Sequence, residues 1–493
     1  MANQPKTKII EESPEVVAKY ERLKTLGREY FAAAHIVKGE PIGDNGVALV
    51  RRFVSRAITE TKPEVWASYF DHIIIAPELG KRIATAAQAK DKNIDVALIE
   101  FLLWLHDIGR LVTPSAYFRN DLIDYRLLKE FGIPESIISQ LPSLENLLET
   151  AREMTLSPDQ ITFKEPLNES QKIIAQKYFD SQSAVQKIIN LADNLGKRSA
   201  KGLFDLKDFL EYLKTQEDRY EPLSQWPTVN WAIERRQQGA VLQAFVIKAT
   251  HAWLKELHIS VDQILDEMRD YGPKYIILSR HGDLNNPRSI VYNRDSVMKP
   301  EDIMHLSEIG ITKMQNIGGF IKERKFAVQR IIISPETRAR ESANELNRTL
   351  HLNKENITEN AAIDEVRAAG PYQEGMLLAK WKQMKGDAFD PSRWGKYNHE
   401  TPAEIINRTS RLFWTEAKSL ITGQATIFIS HGDPIGFLVN HEVSGKRLYV
   451  DVPRDQSIYP NKGEAFIMII GPDQKLFSYY LLADESAQPD SSF

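Results

Sequence analysis

KYIILSRHGD, residues 274–283, decides how the second half of this chain reads. Tyr275 to Leu278 form an unbroken apolar run, the pattern of a short strand buried on both faces. Arg280 and His281 follow as the run ends, and Gly282 supplies a turn. Two further segments repeat the design. RIIISPETRARESA (330–343) closes a β-branched run with a turn and sets Arg338 in the first turn of a helical pattern. ATIFISHGDP (425–434) places His431 just past another strand. EAFIMIIG (464–471) and KLFSYYLL (475–482) read as further strands, and TRARESANELNRTL (337–350) and PAEIINRTSRLFWTEAKSLI (402–421) as helices. Strands alternating with helices predict a layered α/β domain. In open sheets of this kind, ligands sit beyond the carboxyl ends of the strands, where all three segments deliver imidazole or guanidinium groups.

The texture before Tyr271-Gly272-Pro273 is different. VALIEFLLWLHDIGRL (96–111), ESIISQLPSLENLLETA (135–151), SAVQKIINLADNLGKRSA (183–200) and GAVLQAFVIKATHAWLKEL (239–257) carry apolar residues at helical spacing. Strand-like runs are nearly absent there. The expected division is therefore a helical domain, 1–271, followed by an α/β domain, 272–493.

Bulk properties narrow the chemistry. A chain of 493 residues has room for two to four domains. With 42% hydrophobic residues, 26% charged residues and a net charge of -4, it has no bias toward general nucleic-acid or acidic-membrane binding. There is no cysteine, which excludes disulfides, thiolate nucleophiles and Cys-ligated metals. The N-terminus has no signal-peptide pattern, and the apolar stretch IDVALIEFLLWL (94–105) is too short to span a bilayer. A cytoplasmic location is expected.

The cationic strand ends suit phosphoryl transfer. Arg280 and Arg338 offer planar bidentate donors to a phosphate dianion. A neutral imidazole, His281, can attack phosphorus, and a second, His431, can stabilise charge on the equatorial oxygens. The leaving oxygen needs an acid, for which Glu365, after the strand-like AAIDEV, leads and Asp364 is the rival.

SRHG, SPETRARESA, IDEVRAAGPYQEG, HETPAEIINRTSRLF and SHGDP resemble, in order, the motifs of the histidine phosphatase (phosphoglycerate-mutase-like) superfamily over about 200 residues. The resemblance implies a three-layer α/β/α fold and a phosphohistidine on His281. It implies a phosphate pocket completed by Arg280, Arg338 and His431, an acid at Glu365, and no metal. Where the family often has an Asn, this chain has Pro287, so Asn286 or Asn285 is the expected stand-in toward substrate. The absence of a long insertion favours phosphatase over mutase.

In the helical half, WLHDIGR sets His106 beside Asp107 at a helix end. His72 lies 34 residues before His106, and Asp193 lies 86 residues after Asp107. Two imidazoles and two carboxylates suit one divalent transition metal: Mn, Fe, Co, Ni or Zn. The H…HD…D pattern resembles the HD-domain metal-dependent phosphohydrolases, an all-helical superfamily, over roughly residues 50–200. That resemblance implies a metal on His72, His106, Asp107 and Asp193; Arg110 and Lys197, which lie next to these residues in the sequence, are expected to meet substrate phosphate. No histidine lies between Asp107 and Asp193, which favours one metal over two. The whole reads as a two-domain phosphohydrolase acting on small phosphorylated substrates such as nucleotides. The alternatives are a nucleotide-sensing domain regulating its neighbour, or a protein-phosphohistidine phosphatase.

Overall fold

A computed structural model of the chain describes residues 14–32, 41–63, 65–112, 120–199, 202–214, 230–290, 294–366, 400–445 and 458–482. The chain divides into two compact units, Met1–Tyr271 and Gly272–Phe493. Among the described residues, no helix is long and apolar enough to cross a membrane.

The first unit is helical. Its site is built on three helices, Ala67–Gln88, Val96–Leu105 and Ala184–Leu195. The second is almost wholly apolar and is buried from Phe101 to Leu105, so it forms the centre of the unit. The Asp95 side chain caps it by accepting from Leu98 N, and it stops at His106 in favour of a 3-10 turn, Ile108–Leu111. His106 and Asp107 thus stand at a helix end and not within a helix. Helix 184–195 opens with a capping box between Ser183 and Gln186 and closes at Gly196. A Cβ on Gly196 would lie 2.7 Å from Ala76 Cα, so glycine is what lets this helix end press onto helix 67–88. Phe31, Phe53, Phe101 and Phe131 pack ring against ring in the interior. There are two departures from the expected pattern. The segment 135–151 is two helices, Glu135–Ile138 and Leu144–Glu153, because Pro142 interrupts it. Among the described residues, a short antiparallel ribbon, β1 (Arg198–Ser199) with β2 (Gly202–Leu203), interrupts the helices of this unit.

The second unit is built on a mixed sheet of six strands. They are β3 (Lys274–Arg280), β4 (Ala327–Ile333), β5 (Ile357–Glu359), β6 (Gln424–Ser430), β7 (Ala465–Ile470) and β8 (Leu476–Leu482), in the order β5-β4-β6-β3-β7-β8. β3, β4, β5 and β6 run parallel, while β7 and β8 are antiparallel additions. Ile276, Leu278, Ile332, Phe428, Phe466 and Met468 pack with Phe413, Ala417, Ile435 and Leu438 of the helices Pro402–Ser419 and Gly432–Val443. The alternate residues Tyr275, Ile277, Ile331, Ile427 and Ile467 are equally buried, as period two requires of a strand covered on both faces. The expected strand at AAIDEV is absent. β5 ends at Glu359, and Asn360 accepts from Ala362 N to start a 3-10 turn instead.

Candidate active sites

Register assembles the α/β site. Arg280 pairs with Ser430 across β3 and β6, and Ile333 pairs with Ile429 across β4 and β6. The next residues, His281, His431 and Ser334, therefore emerge side by side at the carboxyl edge. His281 N donates to Ser430 O and Ser334 N to Ile429 O, each at 3.0 Å. Gly282 is needed here, since a Cβ would meet the Gly310 backbone at 2.6 Å.

At this edge His281, His431 and Arg338 are fully buried, while Arg280 is half-buried. The imidazoles of His281 and His431 meet edge to face, with centroids 5.3 Å apart. His281 Nδ1 is 2.8 Å from Gly282 O, an acceptor, which puts the proton on Nδ1 and leaves Nε2 as the lone-pair nitrogen. Burial, then the charges of Arg338 and Arg280, hold the His281 pKa well below its ordinary value, so the ring is neutral. Burial and Arg338 do the same to His431.

Glu365 aims its carboxyl into this group, with Oε2 3.4 Å from His431 Nδ1 and 3.6 Å from Arg338 Nη2. Burial raises its pKa against the opposing pull of Arg338. Asp364 points elsewhere. It accepts from Ser334 Oγ at 3.0 Å and from Glu365 N at 2.8 Å, and pairs with Arg294 at 2.9 Å. Arg280 donates to Pro460 O at 3.0 Å and lies over the Tyr459 ring. The Asn286 amide donates to Ile290 O and accepts from Ile290 N, which staples its own loop.

Several neighbours escaped the sequence reading. Glu336 and Asp295 lie 3.6 and 3.7 Å from Arg338 Nη1, and burial pushes Glu336 up to about 8. Arg294 donates to Glu365 O at 2.9 Å, and Tyr459 donates to Asp433 at 3.0 Å. Glu336 was within the SPETR motif, but nothing in sequence marks Arg294 or Tyr459, which reach the site only through tertiary packing.

In the helical unit, His72, His106 and Asp193 bring ligand atoms within 4.8 Å of one another, and Asp107 stands beside the two imidazoles but outside that group. His72 Nε2 lies 2.9 Å from His106 Nε2, 3.1 Å from Asp193 Oδ1 and 3.3 Å from Asp107 Oδ2. His106 Nε2 lies 3.3 Å from Asp193 Oδ1 and 3.7 Å from Asp107 Oδ2. Each ring is oriented by a carbonyl: His72 Nδ1 to Gly196 O at 2.9 Å, His106 Nδ1 to Leu103 O at 2.7 Å. Ligand atoms held about 2.1 Å from one ion stand about 3.0 Å apart in octahedral and about 3.4 Å apart in tetrahedral geometry, so the spacings among His72, His106 and Asp193 fit a transition metal. Burial alone would raise both carboxyls, but Arg110 and His106 hold Asp107 below the usual carboxylate range, and Lys197 and His106 do so for Asp193. Arg110 Nε pairs with Asp107 Oδ1 at 3.1 Å, leaving Oδ2 toward the imidazoles. The turn is held from outside by Asp124, which accepts from Gly109 N, and by Tyr69, whose hydroxyl donates to Asp107 O at 2.9 Å.

Comparison with known proteins bears on the second unit. No protein of curated function matches the chain. Among solved structures, a mycobacterial glucosyl-3-phosphoglycerate phosphatase is 16% identical, covering 43% of this chain and 99% of its own, with a TM-score of 0.32. Bacillus stearothermophilus YhfR is also 16% identical, covering 44% and 98%, with a TM-score of 0.33. The protein histidine phosphatase SixA is 13% identical, covering 42% and 94%, with a TM-score of 0.27. Residues 276–447 match the family model of the histidine phosphatase superfamily, branch 1, and so form a histidine phosphatase domain within the longer chain.

Proposed function

We propose that the α/β unit hydrolyses small phosphomonoesters through a phosphohistidine. What supports the reading is one juxtaposition: a neutral buried imidazole, His281, beside His431, Arg338 and a carboxyl of raised pKa, Glu365. His281 Nε2 attacks phosphorus, forming the N–P bond as the ester P–O bond breaks. Arg338, Arg280 and His431 bind the phosphoryl oxygens, and Glu365 gives its proton to the departing oxygen. Water then attacks phosphorus, returning a proton to Glu365 and releasing inorganic phosphate, and His281 is regenerated. Asp364, engaged by Ser334, Arg294 and a backbone amide, is a poor candidate for the acid.

For the helical unit we propose a one-metal site of the HD type, held by His72, His106, Asp107 and Asp193. The support is the convergence of two lone-pair nitrogens and the Asp193 carboxylate, with Asp107 beside the imidazoles. When bound, a divalent ion supplies Lewis acidity and a water of lowered pKa. Arg110 and Lys197 keep Asp107 and Asp193 ionised and offer positive charge to a phosphate ester or nucleotide. The test is a hydrolysis screen over nucleotides, sugar phosphates and phosphoamino acids, with and without chelator. One metal-independent activity that depends on His281 and one chelator-sensitive activity that depends on His106 are expected. If no phosphoester is cleaved under either condition, both readings are wrong. If a nucleotide binds the metal site without being cleaved, the helical unit is a sensor.

A further inference from the structure

Four side chains behind the phosphate pocket form one chain of hydrogen bonds: Arg294, Asp364, Ser334 and His431. We infer that Asp364 and Ser334 are positioning residues that fix the ring tautomer of His431, so that Nε2 carries the proton and Nδ1 faces the phosphoryl group. The inference rests on the phosphatase reading above and deepens it.

The argument is one of hydrogen-bond polarity. Asp364 Oδ2 pairs with the Arg294 guanidinium at 2.9 Å, and Oδ1 takes the amide proton of Glu365 at 2.8 Å. A carboxylate so engaged only accepts. Ser334 Oγ, 3.0 Å from Oδ1, must therefore donate its single proton to Asp364. What remains on that oxygen is lone pairs. His431 Nε2 lies 2.7 Å away, so the proton between them belongs to the imidazole. A neutral His431 is thereby Nε2–H, and its Nδ1 lone pair is directed into the pocket. That nitrogen is buried, has no hydrogen-bond partner, and is 3.4 Å from Glu365 Oε2. His281 is fixed the other way round, with Nδ1–H on Gly282 O and Nε2 as the lone-pair nitrogen. The two rings therefore present opposite nitrogens to one phosphoryl group.

The arrangement explains how a buried ring can take up charge when a dianion arrives. Burial, Arg338, His281, Arg280 and Arg408 all disfavour a second proton on His431, and a phosphoryl dianion beside the ring offsets them. With Nε2–H already committed to Ser334, any added proton goes on Nδ1, where it can bond a phosphoryl oxygen. With the opposite tautomer it would go on Nε2, facing away.

The experiment reads the tautomer directly. Full-length protein carrying 15N-labelled histidine is examined by long-range 1H–15N correlation, with and without inorganic vanadate. In wild type, His431, assigned by its loss in His431→Gln, is expected as Nε2–H alone, gaining an Nδ1 proton when vanadate binds. Ser334→Ala and Asp364→Asn should yield mixed tautomers and weaken vanadate about tenfold or more, the scale of a bond to a charged group. Ser334→Thr, which keeps the hydroxyl, should restore both. A wild-type His431 found as Nδ1–H would overturn the inference. So would Ser334→Ala and Asp364→Asn variants that both keep a pure Nε2–H signal. The tautomer is read without turnover, so it separates from the phosphatase reading, which His281→Ala tests through activity alone.

Discussion

His72 and His106 bring their Nε2 atoms to 2.9 Å, and each ring's other nitrogen is spent on a backbone carbonyl. Both Nδ1 atoms being donors, two lone pairs meet head-on inside a nest of carboxylate oxygens, a repulsive arrangement that a cation relieves. Burial by itself depresses a histidine pKa, yet Asp107 and Asp193 raise that of His106 overall, another expression of the same demand for positive charge.

Metal binding should therefore stabilise the helical unit. At a free metal concentration about a hundred times Kd, the gain is about 2.7 kcal/mol. Thermal melts with and without chelator should show a reversible rise on adding Mn, Co, Ni or Zn. His106→Ala and Asp193→Ala should lose the rise and the metal content by elemental analysis. A chelator-treated protein whose melting temperature no such ion moves would argue for a purely structural polar cluster.

In the α/β unit, His281→Ala should reduce phosphomonoesterase activity by several decades, as losing a covalent nucleophile does. It should leave any chelator-sensitive activity intact. Rapid alkaline quench of wild type should trap an acid-labile, alkali-stable phosphoenzyme. Retention of about a tenth of the rate by the variant would reassign the nucleophile.

Glu365 must be protonated to act as acid. Its pKa is raised, burial being the largest cause, so kcat/KM should stay high beyond the ordinary carboxylate range and fall as pH climbs through the raised value. Glu365→Gln should remove that descending limb. It should slow alkyl phosphates far more than aryl phosphates, whose leaving groups need no proton. Equal slowing of both classes would end the assignment.

Glu336 offers a stability test with a defined sign. Its carboxyl shifts from 4.5 to about 8, with burial the largest cause, so ionising it costs more in the folded state than in the unfolded. The stability it contributes is present below about 4.5 and drains away as pH rises toward 8. Glu336→Gln should leave stability nearly unchanged at acid pH and become relatively more stable than wild type above pH 8, by denaturant midpoints. Parallel curves for the two proteins across that range would contradict the shift.

A glycine tests the support of Arg280. A Cβ on Gly432 would overlap the Tyr459 hydroxyl and ring. Gly432→Ala should displace Tyr459 from beneath Arg280 and weaken substrate binding while the fold survives. The expected signature is a raised KM for aryl phosphates with a near-native melting temperature. An unchanged KM would show that Tyr459 does not steady Arg280.

The sequence by itself determined the elements and the chemistry-bearing residues at their ends. Short β-branched apolar runs in KYIILSR and ATIFIS, and helical spacing in TRARESANELNRTL, are local properties, and each forms the element expected. His281, Arg338 and His431 were legible because strand ends and helix starts are set by those patterns. His72, His106, Asp107 and Asp193 were legible as residue types with plausible separations; the distances group His72, His106 and Asp193 and leave Asp107 beside them. Tertiary structure decided the rest. The choice of Glu365 over Asp364 in facing the pocket depends on Arg294, Ser334 and Glu365's own amide engaging its neighbour, contacts made between segments far apart in the chain. The short-range amide staple between Asn286 and Ile290 was not legible in the sequence, because it depends on how the loop folds back on itself. AAIDEV failed as a strand because the Asn360 side chain bonds the backbone before a ladder can form. Tautomers were also beyond the sequence. Which nitrogen of His281, His431, His72 or His106 holds a proton is set by the acceptor or donor that packing places on its other side, and one-dimensional spacing carries no such information.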